Sequence, residues 1–142
     1  MWNRPDTRSS RRTRSYAPLI RALLEADRRK IKGLVHCSGG GQTKCLRFGR
    51  GVHFIKDDML PLPPIFKAIQ RVSKTPWKEM YQVYNMGHRM EVYCTARDAR
   101  HVIEAARSFG IQAQLVGRTE AANGRNQLTV SHGAQRLQYL AP

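Results

Sequence analysis

Apolar residues recur with helical spacing near the start of the chain. Leu19, Leu23 and Ala26 fall on one face, with Ile20 beside them, and this pattern predicts a helix from Tyr16 to Lys30. Apolar faces and flanking breakers predict four further helices. They cover Gln42 to Phe48, Ile65 to Val72, Pro76 to Tyr84 and Ala96 to Phe109.

Two of these helices carry explicit start signals. Thr75 precedes Pro76, which predicts an N-cap followed by proline at the first helical position. Thr95 is followed three residues later by Asp98, the spacing of a reciprocal cap, and Gly110 ends the same helix.

Short apolar or alternating runs between the helices predict strands. The predicted strands are Ile31 to Cys37, Val52 to Ile55, Met90 to Cys94, Ile111 to Val116, Gln127 to Val130 and Leu137 to Leu140. Asn123-Gly124 is typical of a hairpin turn. Because helices and strands alternate, we predict an α+β domain over residues 16–142, with one mixed sheet and helices packed on it.

A glycine run separates the first strand from the short helix. Ser38 is followed by Gly39, Gly40 and Gly41, and three glycines in a row are costly unless positive φ angles or a close approach require them. Backbone N–H groups in such a turn can bind phosphate or carboxylate. The alternative is a tight connection with no ligand. The spacing matches neither a P-loop nor a dinucleotide-binding fingerprint.

Composition limits the classes of protein that fit. The chain has 142 residues, enough for one domain, and no apolar run long enough to span a membrane. No secretory signal is evident, and the three cysteines, Cys37, Cys45 and Cys94, form no disulfide framework. We therefore expect a cytoplasmic protein with reduced thiols and no membrane partner.

Charge adds a different possibility. The formal net charge is +15, which favours a polyanionic partner such as nucleic acid, or a phosphorylated metabolite. Met1 to Ser15 is rich in Arg and Ser and nearly free of apolar residues, so we expect a flexible basic arm. An organelle transit segment is the other interpretation, and Pro5 and Asp6 weigh against it.

Catalytic and metal-binding chemistry is weakly marked. His36 and Cys37 are adjacent, so they face opposite sides of a strand, and no other pair has ligand spacing. We therefore predict no metal site, and no catalytic residue can be named. Three acidic residues remain candidates for magnesium or simple surface charges: Asp57, Asp58 and Glu79. The aromatic residues Trp77, Tyr81 and Tyr84 are expected in the core.

Four ordered blocks carry a family resemblance. Gly33 to Gly41 resembles the Gly-x-x-His-x-Thr/Ser-Gly-Gly-Gly signature in the C-terminal domain of aminoimidazole ribonucleotide synthase, also called phosphoribosylformylglycinamidine cyclo-ligase. The other blocks are Pro63 to Phe66, Glu79 to Gly87 and Gly110 to Gly117, and the resemblance extends over about residues 15–130. Cys37 and Gln42 depart from the pattern, since many relatives have Ile and Leu there.

The resemblance implies a role in purine biosynthesis. The family closes the imidazole ring: the amide oxygen of formylglycinamidine ribonucleotide is phosphorylated from ATP, an internal nitrogen attacks, and phosphate leaves. ATP and magnesium would bind mainly to an N-terminal half that has no counterpart here. The expected contacts to substrate or phosphate are His36, Ser38, Gly39, Gly40, Gly41, Asn85, Met86 and Gly87.

Two functional interpretations follow. In the first, the chain is the substrate-side domain of this ligase, as a fragment or as half of a split enzyme. It is then inactive alone, with a separate ATP-binding chain or a homodimer as partner. In the second, the domain is a non-catalytic basic subunit of an assembly that contains RNA. The family motifs favour the first interpretation, and the basic arm favours the second.

Overall fold

The computed structural model describes residues 15–142. The basic arm predicted for residues 1–15 lies outside the described residues apart from Ser15. Within the described part, no helix is long and apolar enough to cross a bilayer.

Residues 15–142 contain four α-helices and six strands. The helices are α1 (Ala17–Asp27), α2 (Pro64–Ser73), α3 (Trp77–Val83) and α4 (Ala96–Ser108). The strands are β1 (Ile31–His36), β2 (Val52–Lys56), β3 (Met90–Cys94), β4 (Gly117–Ala121), β5 (Gln127–His132) and β6 (Gln135–Leu140). Two 3-10 helices cover Arg28–Lys30 and Gly41–Arg47.

The strands form two sheets. β4, β2, β5 and β6 lie in that order in a mixed sheet, in which β2 and β5 are parallel and the other neighbours antiparallel. β1 and β3 pair with each other as a separate antiparallel ribbon. The α+β class is therefore confirmed, but the strands divide between two sheets where one was predicted.

The main core lies on one face of the four-stranded sheet. Phe54, Leu128 and Val130 point into it, because residues two apart on a strand share a face. They meet Met80 and Tyr81 of α3, both of which are buried, and burial was predicted for Tyr81. A second, smaller core contains Leu19 and Leu23 of α1 and Ala106 of α4.

Two predictions in the C-terminal region are wrong. Residues 111–116 do not form a strand; their apolar members Ile111 and Ala113 pack on the smaller core, and β4 begins only at Gly117. Asn123-Gly124 does not close a hairpin, because β4 and β5 both pair with β2 and not with each other. The tight hairpin instead joins β5 to β6, where His132 pairs with Gln135.

The two predicted helix caps differ in outcome. Pro76, not Thr75, is the N-cap of α3, and the Thr75 hydroxyl is hydrogen-bonded to the Ser73 hydroxyl at 2.8 Å. Thr95 is the N-cap of α4 as predicted. Its hydroxyl donates to the Asp98 carboxylate at 2.6 Å, and makes no capping bond to a backbone N–H.

Candidate anion-binding site

The glycine loop, residues 38–41, connects β1 to the second 3-10 helix. Gly39, Gly40 and Gly41 have φ angles of 51°, 93° and 49°, a left-handed conformation that side chains with a Cβ adopt at a cost. A Cβ on Gly41 would clash with the Tyr84 carbonyl oxygen and lie 2.7 Å from the Tyr81 carbonyl oxygen. A Cβ on Gly39 would meet nothing within 4 Å. The loop therefore packs tightly on α3 at its end and faces open space in its middle.

The exposed part of the glycine loop carries unused donors. Within residues 15–142 neither the Gly39 nor the Gly40 N–H has a hydrogen-bond acceptor. The ammonium group of Lys44 lies 2.9 Å from the Ser38 carbonyl oxygen, which places a positive charge beside these donors. Adjacent free N–H groups next to a cation are suited to binding an anion.

His36 and Ser38 lie together at the entrance of the glycine loop. The His36 Nδ1 and Ser38 Oγ atoms are 2.9 Å apart, and both residues are exposed. A hydroxyl and an imidazole at this position can add hydrogen bonds to a ligand held by the loop.

The second predicted segment, residues 85–87, forms a tight turn. The Asn85 Oδ1 atom accepts a hydrogen bond from the Gly87 N–H at 2.9 Å, and the Asn85 carbonyl accepts from the His88 N–H at 2.9 Å. A Cβ on Gly87 would lie 2.8 Å from the Pro63 ring. The Met86 side chain is fully buried in the main core, so Met86 offers a ligand only its backbone.

The fold brings the glycine loop and this turn together. The Gln42 side chain, at the start of the 3-10 helix, donates from Nε2 to the Asn85 carbonyl. Gly41 packs against the Tyr84 carbonyl, one residue before Asn85. The eight predicted site residues therefore lie in two adjoining segments, although 43 residues separate Gln42 from Asn85.

A buried polar network lies beneath the glycine loop and was not predicted. Lys56 and Glu91 form an ion pair whose side chains are only 5% and 8% exposed. Lys56 is the last residue of β2, one past the strand predicted over Val52 to Ile55, and Glu91 occupies one position of the predicted strand Met90 to Cys94. Neither residue has a sequence signal for burial, because charged residues are rarely buried without a partner and the partner is 35 residues away.

Burial keeps the neighbouring acidic groups protonated. Burial first, and then the Glu91 charge, raises the pKa of the Cys37 thiol well above its usual range. Burial also raises the pKa of the Cys45 thiol to about 11 and strongly raises that of the Tyr93 hydroxyl. These thiols are therefore poor nucleophiles at neutral pH.

The acidic magnesium candidates do not converge on the glycine loop. Asp57 is 2.7 Å from Arg118 in an exposed ion pair, and Glu79 lies in the first turn of α3. No three His, Cys, Asp or Glu side chains among residues 15–142 are grouped so that they could hold a metal ion. Among residues 15–142, the donors at the glycine loop are therefore suited to an anion, and no such group of metal ligands lies beside them.

An open cleft of about 260 Å³ lies elsewhere, near α3 and the β5–β6 turn. Asp57, Asp58 and Tyr81 line it together with His132, whose ring stacks on Trp77 at a centroid distance of 4.3 Å. The cleft contains none of the eight predicted site residues. Trp77, Tyr81 and Tyr84 all pack in or against the main core, as predicted.

Comparisons with known proteins indicate a family. The profile of the family described as AIR synthase related protein, C-terminal domain, matches residues 7–128. A phosphoribosylformylglycinamidine cyclo-ligase of Methanocaldococcus jannaschii is 35% identical over 106 residues, which are 75% of this chain and 30% of that protein. The protein of the same name from Myxococcus xanthus is 34% identical over 117 residues, 79% of this chain and 33% of that protein.

The fold and the candidate site together define the class of protein: it is an α+β domain with an exposed glycine-rich turn after its first strand. The chain belongs to the family of AIR synthase related C-terminal domains, which confirms the resemblance seen in the sequence. It spans about a third of the length of the curated relatives that it matches.

Proposed function

We propose that this chain provides the substrate-side C-terminal domain of a phosphoribosylformylglycinamidine cyclo-ligase in purine biosynthesis. The glycine loop would bind a phosphate group of the ribonucleotide substrate or of the nucleotide. One observation carries the proposal. The free N–H groups of Gly39 and Gly40 lie beside Lys44, and Gln42, which follows the glycine loop, is bonded to the 85–87 turn.

The proposed role is binding and orientation. Phosphoryl transfer depends mainly on placing the reacting groups and neutralising charge, and ATP with magnesium supplies the phosphoryl group in such a ligase. Gly39, Gly40 and Lys44 would hold a phosphate, and His36 with Ser38 would add hydrogen bonds at its edge. The backbone of Asn85, Met86 and Gly87 would border the same ligand.

The nucleotide and magnesium sites would lie mainly in the two thirds of the relatives that this chain does not cover. The proposed partner is therefore an ATP-binding part, on a longer chain or on a separate one; a second copy of this domain is the alternative. Residues 1–142 alone are expected to be inactive.

Phosphate titration tests the anion site. Addition of millimolar inorganic phosphate should shift the amide NMR signals of residues 38–43 before any others. Gly40→Val should abolish these shifts, because a β-branched residue disfavours a φ of 93°. Gly124→Val is the matched control: Gly124 has a φ of 87° in open space outside the site. Phosphate shifts confined to other residues would place the site elsewhere.

Reconstitution tests the catalytic part of the proposal. The purified chain should form no ring-closed product from ATP and formylglycinamidine ribonucleotide. Turnover should appear when the N-terminal two thirds of a relative, such as that of Myxococcus xanthus, is added or fused. Product formation by the chain alone would contradict the proposed division of labour.

One observation favours a second candidate, an RNA-binding subunit. Arg47, Arg50 and Arg125 are exposed on two loops around Phe48, which is 48% exposed, and none has an acidic partner among residues 15–142. The Asn126 side chain holds both loops by donating to the Leu46, Phe48 and Gly49 carbonyls at 2.9–3.1 Å. Exposed arginines on segments next to an exposed aromatic residue suit a single-stranded nucleic acid.

A further inference from the structure

The buried network beneath the glycine loop uses every donor of a lysine ammonium group. The Lys56 Nζ atom donates to Glu91 Oε1, and to the carbonyl oxygen and Oε1 of Gln42 at 3.0 Å each. An ammonium group has three N–H donors, so all three have acceptors.

Glu91 is equally well satisfied. Its Oε1 atom also accepts from the Cys37 thiol at 3.2 Å, and its Oε2 atom accepts from the Tyr93 hydroxyl. Charge and hydrogen bonds are therefore matched throughout a group that is shielded from water.

Such a network is a poor source of stability. Removing two charges from water costs several kcal/mol each, and apolar residues of similar volume often serve folding equally well. The position of the network is therefore a better guide to its role than its contribution to stability.

The network holds the glycine loop at both ends. Cys37 immediately precedes Ser38 and is bonded to Glu91, while Gln42 immediately follows Gly41 and is bonded to Lys56. The Gln42 side chain also reaches the Asn85 carbonyl and so fixes the second segment. Lys56 and Glu91 are thus linked to the two ends of the glycine loop through Gln42 and Cys37, and to the 85–87 turn through Gln42.

We propose that Gln42, Lys56 and Glu91 form a positioning unit that sets the conformation of the glycine loop relative to the 85–87 turn, and thereby its affinity for an anion. The proposal rests on the proposed function, since it assigns these residues to the same phosphate site. They act from beneath the loop and do not touch the ligand.

Gln42→Met is the primary test, because it removes both side-chain bonds of Gln42 and leaves the Lys56–Glu91 pair and the backbone carbonyl. Without the two side-chain hydrogen bonds of Gln42, the glycine loop should be less ordered. We therefore expect inorganic phosphate to bind about tenfold more weakly. Gly39 and Gly40 amides should also show new millisecond exchange in relaxation-dispersion NMR without ligand.

Gln70→Met is the matched control. The Gln70 side chain donates to the Thr75 carbonyl at 3.3 Å on α2, outside the candidate site. Gln70→Met should lower the free energy of unfolding less than Gln42→Met does, because its single bond is long and only partly buried, and urea unfolding measures both losses. It should still bind phosphate like the unmodified chain. A loss of phosphate affinity equal to that of Gln42→Met would mean that general destabilisation is the cause, and would overturn the proposal.

A triple variant covers the possibility that Gln42→Met does not fold. Lys56→Met, Glu91→Leu and Tyr93→Phe together replace the buried charges with apolar groups and leave no tyrosine hydroxyl without its acceptor. A folded triple variant should again bind phosphate about tenfold more weakly, with a mobile glycine loop. Unchanged affinity and a rigid loop in the folded variants would refute the positioning role.

The two proposals fail in different ways. If phosphate does not shift residues 38–43 in the unmodified chain, the anion site is wrong. The relaxation measurement on the ligand-free protein then decides the positioning role alone: new exchange at Gly39 and Gly40 supports it, and its absence overturns it.

Discussion

At the scale of single residues, the three glycines of the loop are required for two different reasons. Gly41 has no room for a Cβ, because carbonyl oxygens of Tyr81 and Tyr84 fill the space. Gly39 and Gly40 have room and need glycine only for their left-handed backbone. Gly41 therefore supports the fold, and Gly39 and Gly40 present N–H donors to solvent.

The two reasons predict different costs of substitution. Gly41→Ala should lower the free energy of unfolding by several kcal/mol, roughly 3 or more, because backbone atoms must move in addition to the strain of a positive φ. Gly39→Ala should cost only about 1 kcal/mol. Urea denaturation of both variants measures the difference, and equal costs would show that the packing argument is wrong.

The predicted site residues also differ in whether they can offer a ligand a side chain or only the backbone. His36 and Ser38 present side chains at the loop entrance, whereas Met86 is held in the core and contributes at most its backbone. The family motif could indicate all eight positions, but not this division, since it follows from the packing of Met86 against distant residues.

At the scale of elements, the sequence predicted helices and strands well where an apolar pattern matched one period. The α1 and α4 helices and the β1, β3, β5 and β6 strands lie where predicted, within a few residues. Ile111 to Val116 has an apolar strand composition, but it packs beside the smaller core with no strand partner. Pairing depends on distant residues, so local composition misled the prediction there.

Pairing errors and the unpredicted network have the same origin. Asn123-Gly124 is a strong local hairpin signal, yet β2 lies between the two strands that it joins. Lys56 and Glu91 likewise gain their partners only through the tertiary fold. Cys37 and Gln42, the two noted departures from the family pattern, both contact this pair, which gives those departures a structural meaning that the sequence alone did not suggest.

His88 connects two segments through a hydrogen bond that requires its neutral ring. The Leu60 N–H donates to its Nε2 atom at 2.9 Å, which ties the 57–63 segment to the turn before β3. The neutral ring must then carry its proton on Nδ1, and this buried atom has no hydrogen-bond partner within the described residues. Burial, and then the nearby Lys56 charge, lowers the pKa of His88 below its ordinary value of 6.5.

Stability should therefore fall as the pH drops below about 6.5. The unfolded chain takes up a proton at His88 in that range and the folded chain does not, so acidification favours unfolding, by at most about 1.4 kcal/mol per pH unit. Urea unfolding at pH 7.5 and 5.5 should show this loss, and His88→Gln should reduce it. His132 also has a lowered pKa, so His132→Gln is needed beside it, with exposed His101→Gln as the control. An unchanged pH dependence in His88→Gln would contradict the assignment.

At the scale of the whole molecule, charge is the feature that the proposed ligase role does not use. Residues 1–14 contain five arginines and one aspartate, so most of the formal net charge of +15 belongs to residues 15–142. A small phosphorylated substrate needs only the charge near the glycine loop. A polyanion would engage many separate charges, including Arg47, Arg50 and Arg125 on the two basic loops.

Salt dependence separates the two roles. If the chain binds RNA through phosphate contacts, the logarithm of its binding constant should fall steeply with the logarithm of salt concentration. Deleting residues 1–14 should make that slope shallower by up to about four or five times the contribution of one phosphate contact. Replacing Arg47, Arg50 and Arg125 by Ser should make it shallower by up to about three times that contribution. Binding of the ribonucleotide substrate should be almost unchanged in both variants, because the glycine loop is intact.

Weak RNA binding that disappears near physiological salt in every variant would rule out the RNA role. Tight RNA binding that both variants weaken, with no substrate binding at the glycine loop, would rule out the ligase role.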